Sequence, residues 1–183
     1  MVVRMADAVV SVHASLDEAG LPHAFGGALA LAYCIRDPRA TKDVDVNVFV
    51  GPDRADDALD ALPSGATVTR ADRATAARDG QVRIWWDDTP IDVFLNNHWF
   101  HGRAEARSRT VPFGDVPDLP VLACEDLAVF KTFFGRPKDI IDVAHMVAAS
   151  TVDLDDLEAM VDRLLGNERA QFLADVRRFA SEM

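Results

Sequence analysis

The segment 25–48 constrains this chain more than any other part of its sequence. It begins with a glycine pair, continues into a run rich in alanine and leucine, and ends in a valine-rich stretch with the character of a strand. Because successive side chains of a strand point to opposite faces, three polar side chains should share one face and the valines the other. These polar residues are Asp43, Asp45 and Asn47.

Two carboxylates at positions i and i+2 of one strand face repel each other, and a cation between them removes that cost. Hard divalent cations with oxygen ligands, above all Mg²⁺, are the usual partners of such a pair. The pair Gly26 and Gly27 adds a turn at which backbone N–H groups can approach phosphate with no Cβ in the way. A solvated edge strand with two surface acids is the alternative. The glycine turn favours nucleotide chemistry instead.

These motifs resemble the signature of the nucleotidyltransferase superfamily related to DNA polymerase β. The resemblance lies in the glycine pair followed by the run Arg39-Ala-Thr41-Lys-Asp43-Val-Asp45. It is nearest to the small bacterial branch of minimal nucleotidyltransferases, aminoglycoside nucleotidyltransferases and abortive-infection-type toxins. A later strand of that superfamily supplies a third carboxylate, which Asp92 matches. The segment 131–142 is similar to the Lys…Arg-x-Lys-Asp…Asp run that this branch often carries.

The resemblance implies an enzyme that moves a nucleoside monophosphate from an NTP to an acceptor hydroxyl and releases pyrophosphate. It implies Mg²⁺, or Mn²⁺, as the cofactor, held by Asp43, Asp45 and Asp92. The expected catalytic residues are these three aspartates and Lys131, whose ammonium group would offset the charge of the triphosphate. The expected nucleotide-binding residues are Gly26, Gly27, Thr41, Lys131 and Asp142.

Several of these residues also have a purely structural interpretation. Lys131 is equally well interpreted as a surface lysine, and Arg136, Lys138, Asp139 and Asp142 as a structural set of salt bridges at a helix start. The acceptor also stays open. A toxin-like enzyme that acts on tRNA and has a cognate antitoxin is favoured. An enzyme of the aminoglycoside type and an inactive interaction module with the same fold are the alternatives.

The charge balance limits the surface available to nucleic acid. The net charge of −11 argues against a broad basic surface, although local patches are compatible with it. Two such patches are conceivable, and they comprise Arg103, Arg107 and Arg109 in one case and Lys131, Arg136 and Lys138 in the other. The tryptophans Trp85, Trp86 and Trp99 are expected in the core rather than as a stacking platform for bases.

The pattern along the chain predicts an α/β (α+β) fold, with a mixed sheet of nucleotidyltransferase type flanked by helices and a helical C-terminal third. We expect a core over residues 1–122 and a helical region over 123–183 packed on it. Predicted helices cover 5–19, 28–35, 52–62, 124–134, 138–149, 153–165 and 167–181. Predicted strands cover 21–25, 43–48, 67–70, 81–86, 91–95 and 119–122, and 98–107 is ambiguous.

Two features bear on the compartment in which the chain works. No apolar run reaches the length of a membrane span, and the N-terminal residues do not resemble a signal peptide. Cys34 and Cys124 are too few for a disulfide framework and fit a reducing compartment. A cytoplasmic protein is therefore expected.

Overall fold

The computed structural model describes residues 3–38 and 40–183, so Arg39 of the signature lies outside the described residues. The helices are α1 Met5–Glu18, α2 Gly27–Ile35, α3 Ala55–Asp60, α4 Arg70–Asp79, α5 Trp99–Arg107, α6 Cys124–Phe134, α7 Pro137–Ala148, α8 Leu154–Leu165 and α9 Ala170–Ser181. The strands are β1 His23–Phe25, β2 Val44–Val48, β3 Ala66–Thr67, β4 Gln81–Trp86, β5 Thr89–Leu95, β6 Arg109–Phe113 and β7 Val116–Val121. Short 3₁₀ turns cover Pro52–Arg54 and Gly166–Arg169.

The described strands form one mixed sheet in the order β3-β4-β5-β2-β1-β7-β6. Its centre is the parallel pair β2 and β5, and β1 joins β2 antiparallel and β7 parallel. The remaining neighbours, β3 with β4, β4 with β5 and β6 with β7, are antiparallel. This mixed sheet with helices before, between and after its strands confirms the predicted fold class.

The chain divides into two compact units. The first contains the described residues of 1–29 and 39–122, including the whole sheet, and the second contains 30–38 and 123–183. Helix α2 therefore begins in the first unit and continues into the second. Within the second unit, α7 lies against both α6 and α9. Its apolar interior includes Val143, Met146, Val161 and Val176, each at most 1% exposed.

The central strands explain the core of the first unit. Val44, Val46 and Val48 of β2 and Ile91 and Val93 of β5 are each at most 2% exposed, and all point to one face of the sheet. The alternation leaves the polar residues of both strands on the opposite face. Burial of the apolar face fixes the register, because a slip of one residue would bring aspartate into the core.

The sequence pattern was wrong at two places in the first unit. The strand predicted over 67–70 is only Ala66–Thr67, because Thr69 caps helix α4, which was not predicted, through a reciprocal capping box with Asp72. Strand β6 was missed, and its Pro112 is compatible with a strand because β6 is an edge of the sheet. The ambiguous segment 98–107 forms helix α5 over Trp99–Arg107.

Cys34 of α2 and Cys124, the first residue of α6, form a disulfide within the second unit. This pairing corrects the expectation that the two cysteines form no disulfide. A separation of 90 residues gives no sequence signal for it. In the described ranges, no helix has the length and apolar character needed to cross a membrane.

Candidate active site

Two aspartates face each other across the central parallel strands. The register of β2 against β5 places Asp45 directly beside Asp92 on the polar face of the sheet. Asp43 immediately precedes β2 and lies two residues before Asp45, on the same face. The structure therefore brings the three predicted carboxylates onto one part of the sheet, which we call the acid patch (Asp43, Asp45 and Asp92).

The glycine turn lies against Asp45. The Gly26 N–H donates to the carbonyl oxygen of Asp45 over 2.9 Å, which extends the pairing of β1 with β2. Gly27 has a φ of +53° and is the first residue of α2. A Cβ on Gly27 would collide with the carboxylate of Asp45. Only glycine both adopts this conformation easily and leaves room for that carboxylate.

Thr41 has a local structural contact with the acid patch. Its hydroxyl accepts from the Asp43 N–H over 3.3 Å and lies 3.4 Å from the Asp43 Oδ1 atom, to which it can donate. These contacts between the Thr41 side chain and Asp43 stabilise a turn immediately before β2. Thr41 thus positions Asp43, whereas its assignment to nucleotide binding stays a prediction.

Arg83 was missed by the sequence interpretation and forms ion pairs with two carboxylates of the acid patch. Its guanidinium binds both carboxylate oxygens of Asp92, with Nε–Oδ1 at 2.7 Å and Nη2–Oδ2 at 2.6 Å. The same Nη2 atom lies 3.6 Å from Asp43 Oδ2. The hydrogen bonds that Arg83 donates to Asp92 raise the pKa of Arg83 above its ordinary value, so it is charged at every relevant pH.

The donor chemistry fits a hard divalent cation, but the carboxylates are not gathered around one point. Asp43, Asp45 and Asp92 offer the oxygen ligands that Mg²⁺ prefers, on adjacent strands of one sheet face. Over residues 3–38 and 40–183, no three His, Cys, Asp or Glu side chains are close enough together to hold a metal ion. The guanidinium of Arg83 forms hydrogen bonds with both oxygens of Asp92.

Lys131 belongs to a buried network within the second unit. Its Nζ atom donates to Asp142 Oδ2 over 2.7 Å and lies 3.4 Å from Asp139 Oδ1. Arg136 completes the network through a hydrogen bond of 2.7 Å from Nε to Asp139. Lys131 is only 5% exposed, so it is neither a surface lysine nor part of a basic surface patch. The predicted roles of Lys131 and Asp142 in nucleotide binding stay predictions.

Asp139 is fully buried and remains ionised because of its partners. Burial acts to raise its pKa, but the hydrogen bond from Arg136 and the charges of Lys131 and Arg136 outweigh burial, so the pKa lies below its ordinary value. The network thus contains a buried carboxylate whose charge depends on two cations. Its arrangement at the start of α7 agrees with the structural alternative for this segment.

The tryptophans only partly follow the sequence prediction. Trp85 and Trp99 are 49% and 50% exposed, so the expectation of core positions is wrong for both. On β4, Trp85 lies two residues from Arg83, and the alternation of the strand puts the two on the same face. That face of the sheet therefore presents an exposed indole close to the acid patch.

The chain resembles known proteins in sequence and in fold. A family model described as "Nucleotidyl transferase AbiEii toxin, Type IV TA system" matches residues 12–182. The crystal structure of ANT(2")-Ia in complex with adenylyl-2"-tobramycin is similar at 13% identity and a TM-score of 0.56, covering 97% of both chains. A solution structure of the antibiotic-resistance factor ANT(2'')-Ia has 13% identity, a TM-score of 0.54 and coverage of 97% of this chain and 89% of that chain. No curated protein matches the sequence.

We predict that Gly27→Ala destabilises the protein by at least about 1 kcal/mol and displaces Asp45, because alanine is strained at positive φ and its Cβ meets the carboxylate. Gly102→Ala is the control, since this glycine lies within α5 with open space around it. That substitution should stabilise the protein by roughly 0.5–1 kcal/mol. Urea denaturation measures both, and equal stability of the two variants would contradict the assigned turn.

A second prediction concerns the buried network. Asp139→Asn leaves Lys131 and Arg136 without their shared carboxylate and should lower the free energy of unfolding at pH 7 by about 3 kcal/mol. Because the folded-state pKa is lowered, this contribution is complete above the unfolded pKa of about 3.9 and disappears as the pH falls through the folded value. The deficit of the variant should therefore shrink on acidification.

The matched control is Asp175→Asn, which breaks an exposed pair with Arg178 at the same spacing of three residues. Its effect at pH 7 should be small, because solvent screens surface pairs. Denaturation curves of the three proteins between pH 7 and pH 3 test the prediction. A deficit of Asp139→Asn that is constant over this range would show that the network does not depend on the charge of Asp139.

Proposed function

Because the chain belongs to the nucleotidyl transferase AbiEii toxin family of type IV toxin–antitoxin systems, and is a nucleotidyltransferase, we propose that it transfers a nucleoside monophosphate from an NTP to a hydroxyl of tRNA in a reaction that needs Mg²⁺. The observation that most strongly supports a catalytic centre at the acid patch is the position of Asp45. This residue lies beside Asp92 on the sheet and against the Gly27 turn.

The proposed mechanism places the triphosphate at the glycine turn. Transfer of a nucleotidyl group needs in-line positioning and neutralisation of phosphate charge more than covalent help from the protein. The absence of a Cβ at Gly26 and Gly27 lets backbone N–H groups approach phosphate oxygens at the start of α2. When bound, Mg²⁺ supplies Lewis-acid stabilisation of the phosphate charge. Asp43 and Asp45 would hold that cation.

Asp92 is the proposed base for the acceptor hydroxyl. Its side chain is 18% exposed, compared with 40% for Asp43, so it is the more shielded of the two carboxylates that contact Arg83. A shielded carboxylate on a central strand has a fixed position, which general base catalysis requires. Asp92 would accept the proton of the hydroxyl as its oxygen attacks the α-phosphate and pyrophosphate leaves.

Two surface features support tRNA as the acceptor. Trp85 is half exposed on the same face as Arg83, and an exposed indole is a stacking surface for an unpaired base. Arg107 and Arg109 are exposed at the end of α5 and the start of β6, where they can contact phosphates. The family's toxin character also favours a target common to all cells. A cognate antitoxin and a cytoplasmic location accompany this proposal.

A small-molecule acceptor is the second candidate, and a specific observation favours it. The fold is similar to that of ANT(2")-Ia, whose crystal structure contains adenylyl-2"-tobramycin. The net charge of −11 would attract a polycationic drug, and Asp87 and Asp88 in the turn between β4 and β5 supply additional carboxylates. Labelling of each acceptor with a radioactive NTP distinguishes between the two candidates.

Labelling of total tRNA should be detected with at least one α-³²P-labelled NTP, ATP included, in the presence of Mg²⁺ or Mn²⁺. Asp45→Asn should abolish labelling because it removes a carboxylate next to both Asp92 and the glycine turn. Asp115→Asn, at an exposed acid in the turn between β6 and β7, should retain it. A chelator should stop the wild-type reaction.

The salt dependence gives a second, independent readout of the same reaction. Binding of tRNA releases counterions, so labelling should weaken steeply as salt rises. The charge reversals Arg107→Glu and Arg109→Glu should reduce the labelling of tRNA. Labelling of aminoglycosides with tRNA left unmodified for all four NTPs would replace the first candidate by the second. Wild-type activity of Asp45→Asn would contradict the proposed centre for either acceptor.

A further inference from the structure

We propose that Arg83 is a placeholder cation of the acid patch, and that a divalent metal ion must displace its guanidinium from Asp92 and Asp43 before the three carboxylates can bind the ion together. The proposal rests on the proposed function only in assigning Asp43, Asp45 and Asp92 to the metal. Arg83 would thereby control the entry of the cofactor.

The contacts of Arg83 compete directly with metal binding. A guanidinium fork uses both oxygens of Asp92, at 2.7 and 2.6 Å, and one of its nitrogens also lies 3.6 Å from Asp43. A divalent ion held by Asp92 needs at least one of those oxygens, because Mg²⁺ binds carboxylate oxygens directly. The ion and the guanidinium also repel each other. Arg83 and a metal ion therefore compete for the carboxylate of Asp92.

The strand register shows that this arrangement is built into the sheet. Arg83 of β4 is directly opposite Asp92 of β5, and Asp92 is directly beside Asp45 of β2. The three side chains form a row across three adjacent strands, with the arginine at one end. Val82 and Ile84, on either side of Arg83, are buried, so the alternation of β4 keeps the guanidinium on the polar face.

The exposure of the pair makes the contact exchangeable. The Arg83 side chain is 47% exposed, and the side chains of Asp43 and Asp92 are 40% and 18% exposed. Solvent screens the attraction between partly exposed charges, so releasing the guanidinium into water has a modest cost. The Lys131 pair with Asp142 is different, since its side chains are only 7% and 12% exposed. Arg83 can leave, whereas Lys131 is fixed in its network.

Mn²⁺ affinity tests the proposal without reference to turnover. The free ion is counted by electron paramagnetic resonance in titrations of the wild-type protein, Arg83→Gln and Arg83→Lys. Arg83→Gln removes the competing charge and should bind Mn²⁺ about tenfold more tightly, the size expected for loss of a partly exposed charged contact. Arg83→Lys keeps a point charge but loses the fork, and should lie between the two.

Arg78→Gln is the matched control. Arg78 forms a similar two-point pair with Asp79, at 2.8 and 2.6 Å, at the exposed end of α4. Removing it changes the net charge by the same amount as Arg83→Gln, so it corrects for general attraction of Mn²⁺. Its affinity for Mn²⁺ should match the wild-type value. An equal gain in both glutamine variants would overturn the specific role of Arg83.

Asp45→Asn separates failure of this inference from failure of the proposed function. If the wild-type protein binds Mn²⁺, Asp45→Asn weakens that binding, and Arg83→Gln leaves it unchanged or weaker, the metal site stands and the role of Arg83 is wrong. If Asp45→Asn leaves Mn²⁺ binding unchanged, the assignment of the metal to this patch fails, and the inference fails with it.

A measurement on the wild-type side chain covers the case in which Arg83→Gln does not fold. In protein labelled with ¹⁵N-arginine, the Nε–H signal of Arg83 is assigned by its absence in Arg83→Lys. Titration with Mg²⁺ should move this signal at the metal concentrations that saturate the site, because the hydrogen bond to Asp92 is lost. The Arg78 signal should stay in place. A stationary Arg83 signal at saturating Mg²⁺ would overturn the proposal.

Discussion

The repulsion between carboxylates on neighbouring central strands is the constraint around which the first unit is organised. Asp45 and Asp92 are fixed side by side because the valines and isoleucines on the other side of the same strands are buried. The sheet therefore cannot relieve the repulsion by a shift in register. The charge must be balanced by a cation, and in the structure Arg83 contributes to that balance. The proposed chemistry requires a divalent metal ion to replace Arg83 as the cation that neutralises these carboxylates.

The turn at Gly26 and Gly27 lies next to the repelling carboxylates and is also the proposed binding position of the triphosphate. Gly27 gives room to the Asp45 carboxylate, and it also begins helix α2. In the proposed mechanism, the same turn that leaves room for this carboxylate also presents backbone N–H groups to phosphate. The second unit balances its own buried charges through Lys131, Asp139 and Arg136, and the side chains of Lys131 and Asp139 are almost fully buried. The proposed exchange of Arg83 for a metal ion in the first unit thus differs from the second unit, where Lys131 and Asp139 form a buried, fixed contact.

The sequence was sufficient for the fold class and for the shared sheet face of the three aspartates, because alternation and turn residues act locally. Arg83 was missed because the predicted strands 81–86 and 91–95 leave four residues between them, a spacing that pairs Arg83 with Phe94. The turn in the structure has two residues, and this shorter turn pairs Arg83 with Asp92. The capping box of Thr69 and Asp72 was present in the sequence, and its neglect led to the missed helix α4. The disulfide and the exposure of Trp85 carried no comparable signal, since both depend on contacts between distant segments.

The burial of Lys131 shows the limit of motif reasoning. A Lys…Arg-x-Lys-Asp…Asp pattern is compatible with phosphate binding and with a structural network, and the two differ only in where the ammonium group points. The structure shows contacts with Asp142 and Asp139, which the spacing alone could not reveal. Residue type and spacing therefore left open whether the charged groups of this segment contact phosphate or one another.

The most direct test of the account is a crystal structure with Mn²⁺ and a non-hydrolysable NTP, with diffraction data collected for the anomalous signal of manganese. The account predicts a manganese peak coordinated by Asp43 and Asp45, with the triphosphate at the turn formed by Gly26 and Gly27. A manganese peak elsewhere on the chain, with the nucleotide bound away from this turn, would contradict the assignment of the acid patch as the catalytic centre.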